Sequence, residues 1–126
     1  MEHTSAVVGK SFKDARGEIF FLEMNGMKFH LMYTKAGMLR GGDYHPDGQR
    51  DLILKGQMEV TTRENDHDVS RAYGPNEMIE ISANVPHLYR SITDTVMFEW
   101  RDGEYKAEYH APFREQVTKQ LKELEE

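Results

Sequence analysis

The sequence of 126 residues predicts an all-β fold, a barrel or a sandwich, that ends in one helix. Short segments rich in β-branched and aromatic residues recur at near-regular spacing, and turn residues separate them. Only the last segment repeats its apolar residues at helical spacing. We therefore expect a single domain with a lead-in at residues 1–16, the barrel at 17–111 and the helix at 112–126.

A hairpin is the clearest local signal. Asn25 and Gly26 separate two apolar segments, residues 19–24 and 29–34, and an Asn-Gly pair favours the two-residue turn of a β-hairpin. Each segment carries apolar side chains on both of its faces. The interior of a barrel covers only one face of a strand, so the other apolar face needs a different partner. A homodimer is therefore expected, since a symmetric dimer is the commonest way to cover such a surface.

The remaining elements follow the same rhythm of short runs and turns. An early edge strand is expected at residues 6–8, and the C-terminal helix begins near Pro112. Its apolar stripe should pack on the outside of the barrel or across a subunit boundary. The other strands are predicted at residues 38–44, 51–54, 58–62, 69–73, 78–81, 87–92 and 96–101.

Composition excludes several classes of function. The net charge of −6 and the scattered lysines and arginines argue against a nucleic-acid partner. The absence of cysteine excludes disulfides, thiolate zinc sites and thiol nucleophiles. No run of residues is long and apolar enough to span a membrane, so we expect a cytoplasmic protein whose partner is a small molecule.

Three side chains could form a metal site. Asp43 and His45 are two residues apart on a predicted strand and therefore share a face, and His87 lies on a later strand. In a barrel these groups can converge on the lumen. Two imidazoles and one carboxylate suit non-haem Fe(II), and also Mn, Ni, Co or Zn, with Gln49 as an additional weak ligand. The alternative is that these histidines are hydrogen-bonded wall residues.

Other residues could contact a substrate. Arg40 could anchor an anion, or be a surface arginine at a strand end. His30 is expected to face the lumen. The aromatic residues that could line a pocket, or alternatively fill the core, are Tyr33, Tyr44, Tyr89 and Trp100. The sequence shows no Gly-rich phosphate loop, no Ser/His/Asp order and no paired carboxylates.

The spacing of these residues resembles the first motif of the cupin superfamily, G(x)5HxH(x)3-4E(x)6G. Its fixed positions are occupied by Gly37, Asp43, His45, Gln49 and Gly56. The second cupin motif is matched at its histidine by His87. Its glycines, proline and asparagine are replaced by Asn76, Ser82, Asn84 and Ser91. The resemblance implies a jelly-roll β-barrel with a metal or ligand site in its interior.

The segments KDARGEI and KAGMLRGGDYH look like the opening of cupins that act on nucleotide-linked sugars, the epimerases and ketoisomerases. Asp43 stands where those proteins keep a histidine base. The leading hypothesis is a metal-dependent isomerase or oxygenase acting on a small oxygen-rich molecule. A metal-free epimerase would instead use His45 as base, a tyrosine (Tyr44, Tyr33 or Tyr89) as acid and Arg40 to hold the diphosphate. A third hypothesis is a cupin that binds a ligand without catalysis.

Overall fold

The computed structural model describes residues 6–101, 103 and 106–125. The described residues form strands that precede a single C-terminal helix, as the sequence predicts. In chain order the elements are β1 (Ala6–Asp14), β2 (Gly17–Met24), β3 (Met27–Thr34), β4 (Leu39–Tyr44), β5 (Gln49–Lys55), β6 (Met58–Glu64), β7 (His67–Tyr73), β8 (Met78–Ile81), β9 (His87–Ser91), β10 (Thr95–Arg101), β11 (Glu108–Tyr109) and α1 (Ala111–Leu124).

Two antiparallel sheets face each other. The larger sheet has the order β1-β2-β3-β10-β5-β8, and the smaller has the order β11-β4-β9-β6-β7. The main core lies between them, because alternate residues of each strand point to the facing sheet. Its buried members come from both sheets: Met32, Ile53, Met58, Val60, Ile79, Ile81, Tyr89 and Met97.

The predicted hairpin is confirmed. Met24 pairs with Met27, so only Asn25 and Gly26 form the turn between β2 and β3. Their φ angles are 50° and 79°, which is the left-handed conformation that a type I′ turn requires at both central positions.

The first strand is longer than expected. The sequence predicts an edge strand at residues 6–8, whereas β1 runs from Ala6 to Asp14 and pairs with β2 at the edge of the larger sheet. The turn predicted in KDARG lies at Ala15 and Arg16, directly after β1. Residues 1–5 of the expected lead-in lie outside the described residues.

Helix α1 packs against the outside of the smaller sheet. Phe113 and Val117 are buried on its inner face and form a second apolar cluster with Leu88 of β9. The helix approaches β4 closely at Gly42, where an added Cβ atom would lie 2.9 Å from the Cα atom of Arg114. The stripe predicted from the sequence therefore docks on the barrel. No helix in the described part of the chain is long and apolar enough to cross a membrane.

Candidate metal centre

Asp43, His45 and His87 meet inside the barrel. The Oδ1 atom of Asp43 lies 3.2 Å from Nε2 of His87 and 3.7 Å from Nε2 of His45. One donor atom from each of the three residues lies within 4.8 Å of the others, and all three residues are buried. The three side chains that the sequence predicts as metal ligands thus lie close enough together to contact one ion.

Strand pairing explains this convergence. In the antiparallel pair of β4 and β9, Asp43 stands directly opposite His87. The register of β4 shifts between Gly41 and Asp43, where Gly41 and Gly42 have φ angles of 92° and 83°. Such a bulge places an extra residue in one strand and changes which side chains point inward. His45 follows β4 directly and, two residues after Asp43, reaches the same interior.

Hydrogen bonds orient both imidazole rings. The Nδ1 atom of His45 lies 2.8 Å from the carbonyl oxygen of Lys106, and Nδ1 of His87 lies 3.0 Å from the carbonyl oxygen of Val85. A carbonyl only accepts, so Nδ1 donates in each ring and the neutral ring keeps its lone pair on Nε2. Burial lowers the pKa of His45, which favours that neutral form. A ring nitrogen held in this way is the usual second contact of a metal-ligating histidine.

The donor set fits a divalent metal ion. Ligand atoms about 2.1 Å from one ion lie about 3.0–3.5 Å from one another in tetrahedral or octahedral arrangements. The contacts of Asp43 with His87 and His45, at 3.2 and 3.7 Å, are close to that spacing. Two imidazoles and a carboxylate are also the ligand types of a 2-His-1-carboxylate site.

Gln49 lies beside the centre on β5, which begins at this residue and not at Asp51 as predicted. Its Nε2 atom lies 2.9 Å from Asp51 Oδ2, 3.1 Å from Glu99 Oε2 and 3.1 Å from the Tyr89 hydroxyl. Its Oε1 atom is buried and has no hydrogen-bond partner among the described residues. The amide oxygen is thus the part of Gln49 that remains available to a ligand or a metal.

A buried pair of carboxyl groups lies behind Gln49. Asp51 and Glu99 stand opposite each other on β5 and β10. Burial and the charge of Glu99 raise the pKa of Asp51 well above its usual range. Burial acts to raise the pKa of Glu99 too, but a hydrogen bond from His30 and the charge of Arg101 hold it below its usual range. Asp51 is therefore the protonated member of the pair, and Glu99 is ionised.

The sequence alone shows no pattern of paired carboxylates, but the structure brings Asp51 and Glu99 together. The two residues are far apart in the chain, and only the β5–β10 register brings them together. Alternate residues along both strands point to the interior. Gln49, Asp51 and Ile53 are buried on β5, and Met97 and Glu99 are buried on β10. A charged residue at an inward-facing position of an otherwise apolar strand is the sequence signal that indicates such a buried carboxylate.

A cavity of about 510 Å³ opens over these groups. Asp43, Gln49 and His87 contribute to its wall, and so do Tyr89 and Glu99. The Tyr89 hydroxyl donates a hydrogen bond to Asp51, and burial raises the pKa of Tyr89 well above its usual range. Its phenol therefore stays protonated. A volume of this size is within the range of small-molecule sites.

Two of the predicted substrate contacts also line this cavity. His30 lies on β3, 3.4 Å from Glu99 through its Nδ1 atom, and Arg40 lies on β4 with only 4% of its surface exposed. Arg40 is therefore an interior residue rather than a surface arginine. The wall also contains four residues that the sequence does not predict as substrate contacts, namely Arg16, Arg101, Tyr109 and Arg114.

Three predicted aromatic contacts lie elsewhere. The Tyr44 hydroxyl donates to Glu108 at 2.7 Å, on the face of β4 opposite to Asp43. Tyr33 is 44% exposed and lines a separate surface groove. Trp100 packs beside Phe98 in an aromatic cluster of the larger sheet. These side chains do not contribute to the described wall of the cavity because strand alternation turns them away from it.

No protein-family model matches the sequence, and no curated protein matches it. Solved structures share its fold. Capsular polysaccharide assembling protein CapF from Staphylococcus aureus aligns with a TM-score of 0.66 at 16% identity, over 79% of this chain and 33% of that chain. A deletion mutant of Bacillus subtilis oxalate decarboxylase aligns with a TM-score of 0.73 at 11% identity, over 82% of this chain and 31% of that chain.

A third similar structure is that of Drosophila melanogaster CENP-C bound to CAL1. It aligns with a TM-score of 0.63 at 16% identity, over 76% of this chain and 81% of that chain. The chain thus spans about a third of the CapF and oxalate decarboxylase chains but most of the CENP-C chain. CapF and oxalate decarboxylase are cupin-fold proteins, so the chain has the cupin fold that its motif spacing predicted.

Proposed function

We propose that the chain is a cupin that binds a divalent metal ion through Asp43, His45 and His87 and acts on a small oxygen-rich molecule as an isomerase or an oxygenase. One observation carries the proposal. The Nε2 atoms of the two histidines lie 3.2 and 3.7 Å from one carboxylate oxygen, while both Nδ1 atoms are held by backbone carbonyls. Iron, manganese, nickel, cobalt and zinc all accept such a donor set.

The residues around the centre define what the site can do. A divalent ion held there would supply Lewis acidity toward a carbonyl or enediol oxygen, or redox chemistry in the case of iron with dioxygen. Gln49 would assist through Oε1. The protonated Asp51 lies behind the cavity wall, where it accepts a hydrogen bond from the Tyr89 hydroxyl, and it could exchange a proton with a bound molecule only through Tyr89 or Gln49.

The test is the metal content of protein purified without added metal and then reconstituted with Fe(II), Mn(II) or Zn(II). Elemental mass spectrometry should find about one ion per chain in the wild type and a large loss in His87→Ala. The matched control is His67→Ala, which removes an exposed histidine on β7. Equal metal content in the wild type and His87→Ala, or none in either, would overturn the proposal.

Dioxygen uptake separates the two reaction types. An iron-loaded oxygenase consumes dioxygen when it turns over its substrate, whereas an isomerase does not. The metal-free alternative, with His45 as base, predicts that activity survives in chelator. The structure supports it less, because Tyr44 lies outside the cavity wall and the Tyr89 hydroxyl is bonded to Asp51.

A binding module without catalysis is the second candidate. It is favoured by the likeness to CENP-C, which matches this chain over most of both lengths and was solved bound to CAL1. This candidate predicts that ligand is bound but recovered unchanged after prolonged incubation with metal-loaded protein. Recovery of a converted product would exclude it.

We further propose a cytoplasmic homodimer. Apolar side chains remain exposed on β1 and β3, including Phe12 at 48%, Met27 at 57% and Tyr33 at 44%. Patches of this kind commonly mark an interface. Sedimentation equilibrium at micromolar concentration tests the proposal, and a monomer would contradict it.

A further inference from the structure

The wall of the interior cavity carries an excess of positive charge. Four arginines line it, whereas the carboxylates that line it are Asp43 and Glu99. The chain as a whole has a net charge of −6, so this excess is local and does not reflect the composition. The arginines of the wall are Arg16, Arg40, Arg101 and Arg114.

Two of these guanidinium groups form ion pairs, and a third lies over an aromatic ring. Arg16 forms an ion pair with Asp14 at 2.9 Å, and Arg101 forms one with Glu99 at 2.8 Å. Arg114 donates to a backbone carbonyl at 3.2 Å and lies 4.5 Å from the ring centroid of Tyr109.

Arg40 forms neither an ion pair nor a ring contact with the described residues. Its Nε atom donates to the Thr34 hydroxyl at 3.0 Å, and Nη2 donates to the Tyr33 carbonyl at 3.2 Å, so these partners are neutral oxygens. Its Nη1 atom is buried and has no hydrogen-bond partner among the described residues. Arg40 thus holds a positive charge in the interior with part of its donor capacity unused.

A buried, incompletely paired guanidinium is costly. Removing a charge from water is unfavourable unless an opposite charge or hydrogen bonds compensate. Burial and the charge of Arg16 lower the pKa of Arg40 to about 10, against the opposing effect of the Asp14 and Glu99 charges, so the group remains charged at neutral pH. An anion that enters the cavity would give Nη1 an acceptor and place a negative charge in direct contact with the guanidinium group.

Arg40 is also within reach of the candidate metal centre. It lies on β4, three residues before Asp43, and the bulge at Gly41 and Gly42 allows both side chains to line the same cavity. Three residues of extended strand span about 10 Å. A molecule of a few carbon atoms could therefore contact both Arg40 and the Asp43–His45–His87 group.

We propose that the ligand of this cavity is a small organic anion whose carboxylate or phosphate group binds Arg40, with its other end directed to Asp43, His45 and His87. The inference rests on the proposed function in so far as those three residues hold the metal. It adds the chemical class of the ligand and assigns its anchor.

Calorimetric titration tests this with malonate, inorganic phosphate and malonamide, the neutral counterpart of malonate. We expect malonate or phosphate to bind at least about tenfold more tightly than malonamide, and Arg40→Lys to weaken that binding by about tenfold, because a lysine cannot make the same forked contacts. The matched control is Arg63→Lys, at an exposed arginine paired with Asp68, which should leave binding unchanged. Preference for malonate over phosphate assigns a carboxylate ligand, and the reverse preference a phosphate.

The inference would be overturned if malonate and malonamide bound with equal affinity, or if Arg40→Lys and Arg63→Lys lost the same amount of malonate affinity. If Arg40→Lys does not fold, the comparison of malonate with malonamide on the wild type decides. Metal content is measured on the same samples. Tight malonate binding without metal would reject the proposed function and keep the anion site, whereas bound metal with no preference for the anions would reject only the anion site.

Discussion

Asp43 and His87 face each other across two antiparallel strands, with Oδ1 of the carboxylate 3.2 Å from Nε2 of the imidazole. His45 completes the group from the residue that follows β4. Because one strand pair fixes two of the donors, the geometry of the site depends on the register of β4 against β9. Changes to that register should affect the site even when they leave its donor atoms in place.

Replacing Asp43 with asparagine should lower metal affinity by at least about tenfold. The amide oxygen keeps the shape of the side chain but lacks the charge that attracts a cation. Competition with a fluorescent chelator measures the change. Asp68→Asn, an exposed carboxylate on β7, is the control and should bind metal as the wild type does. Unchanged affinity in Asp43→Asn would show that this carboxylate is not a ligand.

Gly42→Ala should destabilise the fold by about 2–4 kcal/mol. Its φ angle of 83° is unfavourable for any residue with a Cβ atom, and that atom would meet the backbone of Arg114 at 2.9 Å. Gly37→Ala is the control, since its φ is 80° but nothing lies within 4 Å of the added atom, so only the backbone strain of about 1–2 kcal/mol applies. Urea denaturation compares the two. Equal losses would mean that α1 does not press on the bulge.

Asp51→Asn should remove a dependence of stability on pH. The pKa of Asp51 is raised in the folded state, so the folded protein holds a proton that the unfolded chain releases. Stability therefore falls as pH rises between the unfolded and folded pKa values, by about 1 kcal/mol per pH unit. The folded-state pKa of Glu99 is lowered, so its contribution to stability is complete above its unfolded pKa and is lost only as pH falls below that value.

The measurement is urea denaturation of metal-free protein at a series of increasing pH values above the ordinary pKa of an aspartate carboxyl group. The wild type should lose stability with rising pH over that series, and Asp51→Asn should lose less. Asp68→Asn should follow the wild type. A slope in Asp51→Asn equal to that of the wild type would show that Asp51 is ionised in the folded protein.

Phe113→Ala should cost about 3–5 kcal/mol of unfolding free energy, because the ring is 2% exposed and its removal leaves a cavity between α1 and the smaller sheet. Phe12→Ala, at a ring that is 48% exposed on β1, should cost less than about 1 kcal/mol. Chemical denaturation of both variants checks the contrast. A similar small loss in both would indicate that α1 is weakly docked.

Local signals in the sequence predicted much of the fold. The Asn25–Gly26 pair fixes its hairpin through the φ angles those two residues adopt most readily. The helix was predictable from Pro112 and from apolar residues at helical spacing, two of which, Phe113 and Val117, are buried. Alternation along β4 was sufficient to propose that Asp43 and His45 share a face.

Features that depend on register between distant strands were not predictable in the same way. The pairing of Asp51 with Glu99 requires β5 and β10 to align at one offset, which no short segment encodes. The interior position of Arg40 depends on the bulge at Gly41 and Gly42, because a regular strand would have placed Arg40 and Asp43 on opposite faces.

The central claim is that Asp43, His45 and His87 bind one metal ion, and a crystal of the protein grown with Mn(II) or Co(II) tests it most directly. Anomalous scattering should reveal a single strong peak in the barrel, about 2.0–2.3 Å from Asp43 Oδ1 and from both Nε2 atoms. A crystal that contains the metal but shows no anomalous peak among these three side chains would contradict the proposal that they bind it.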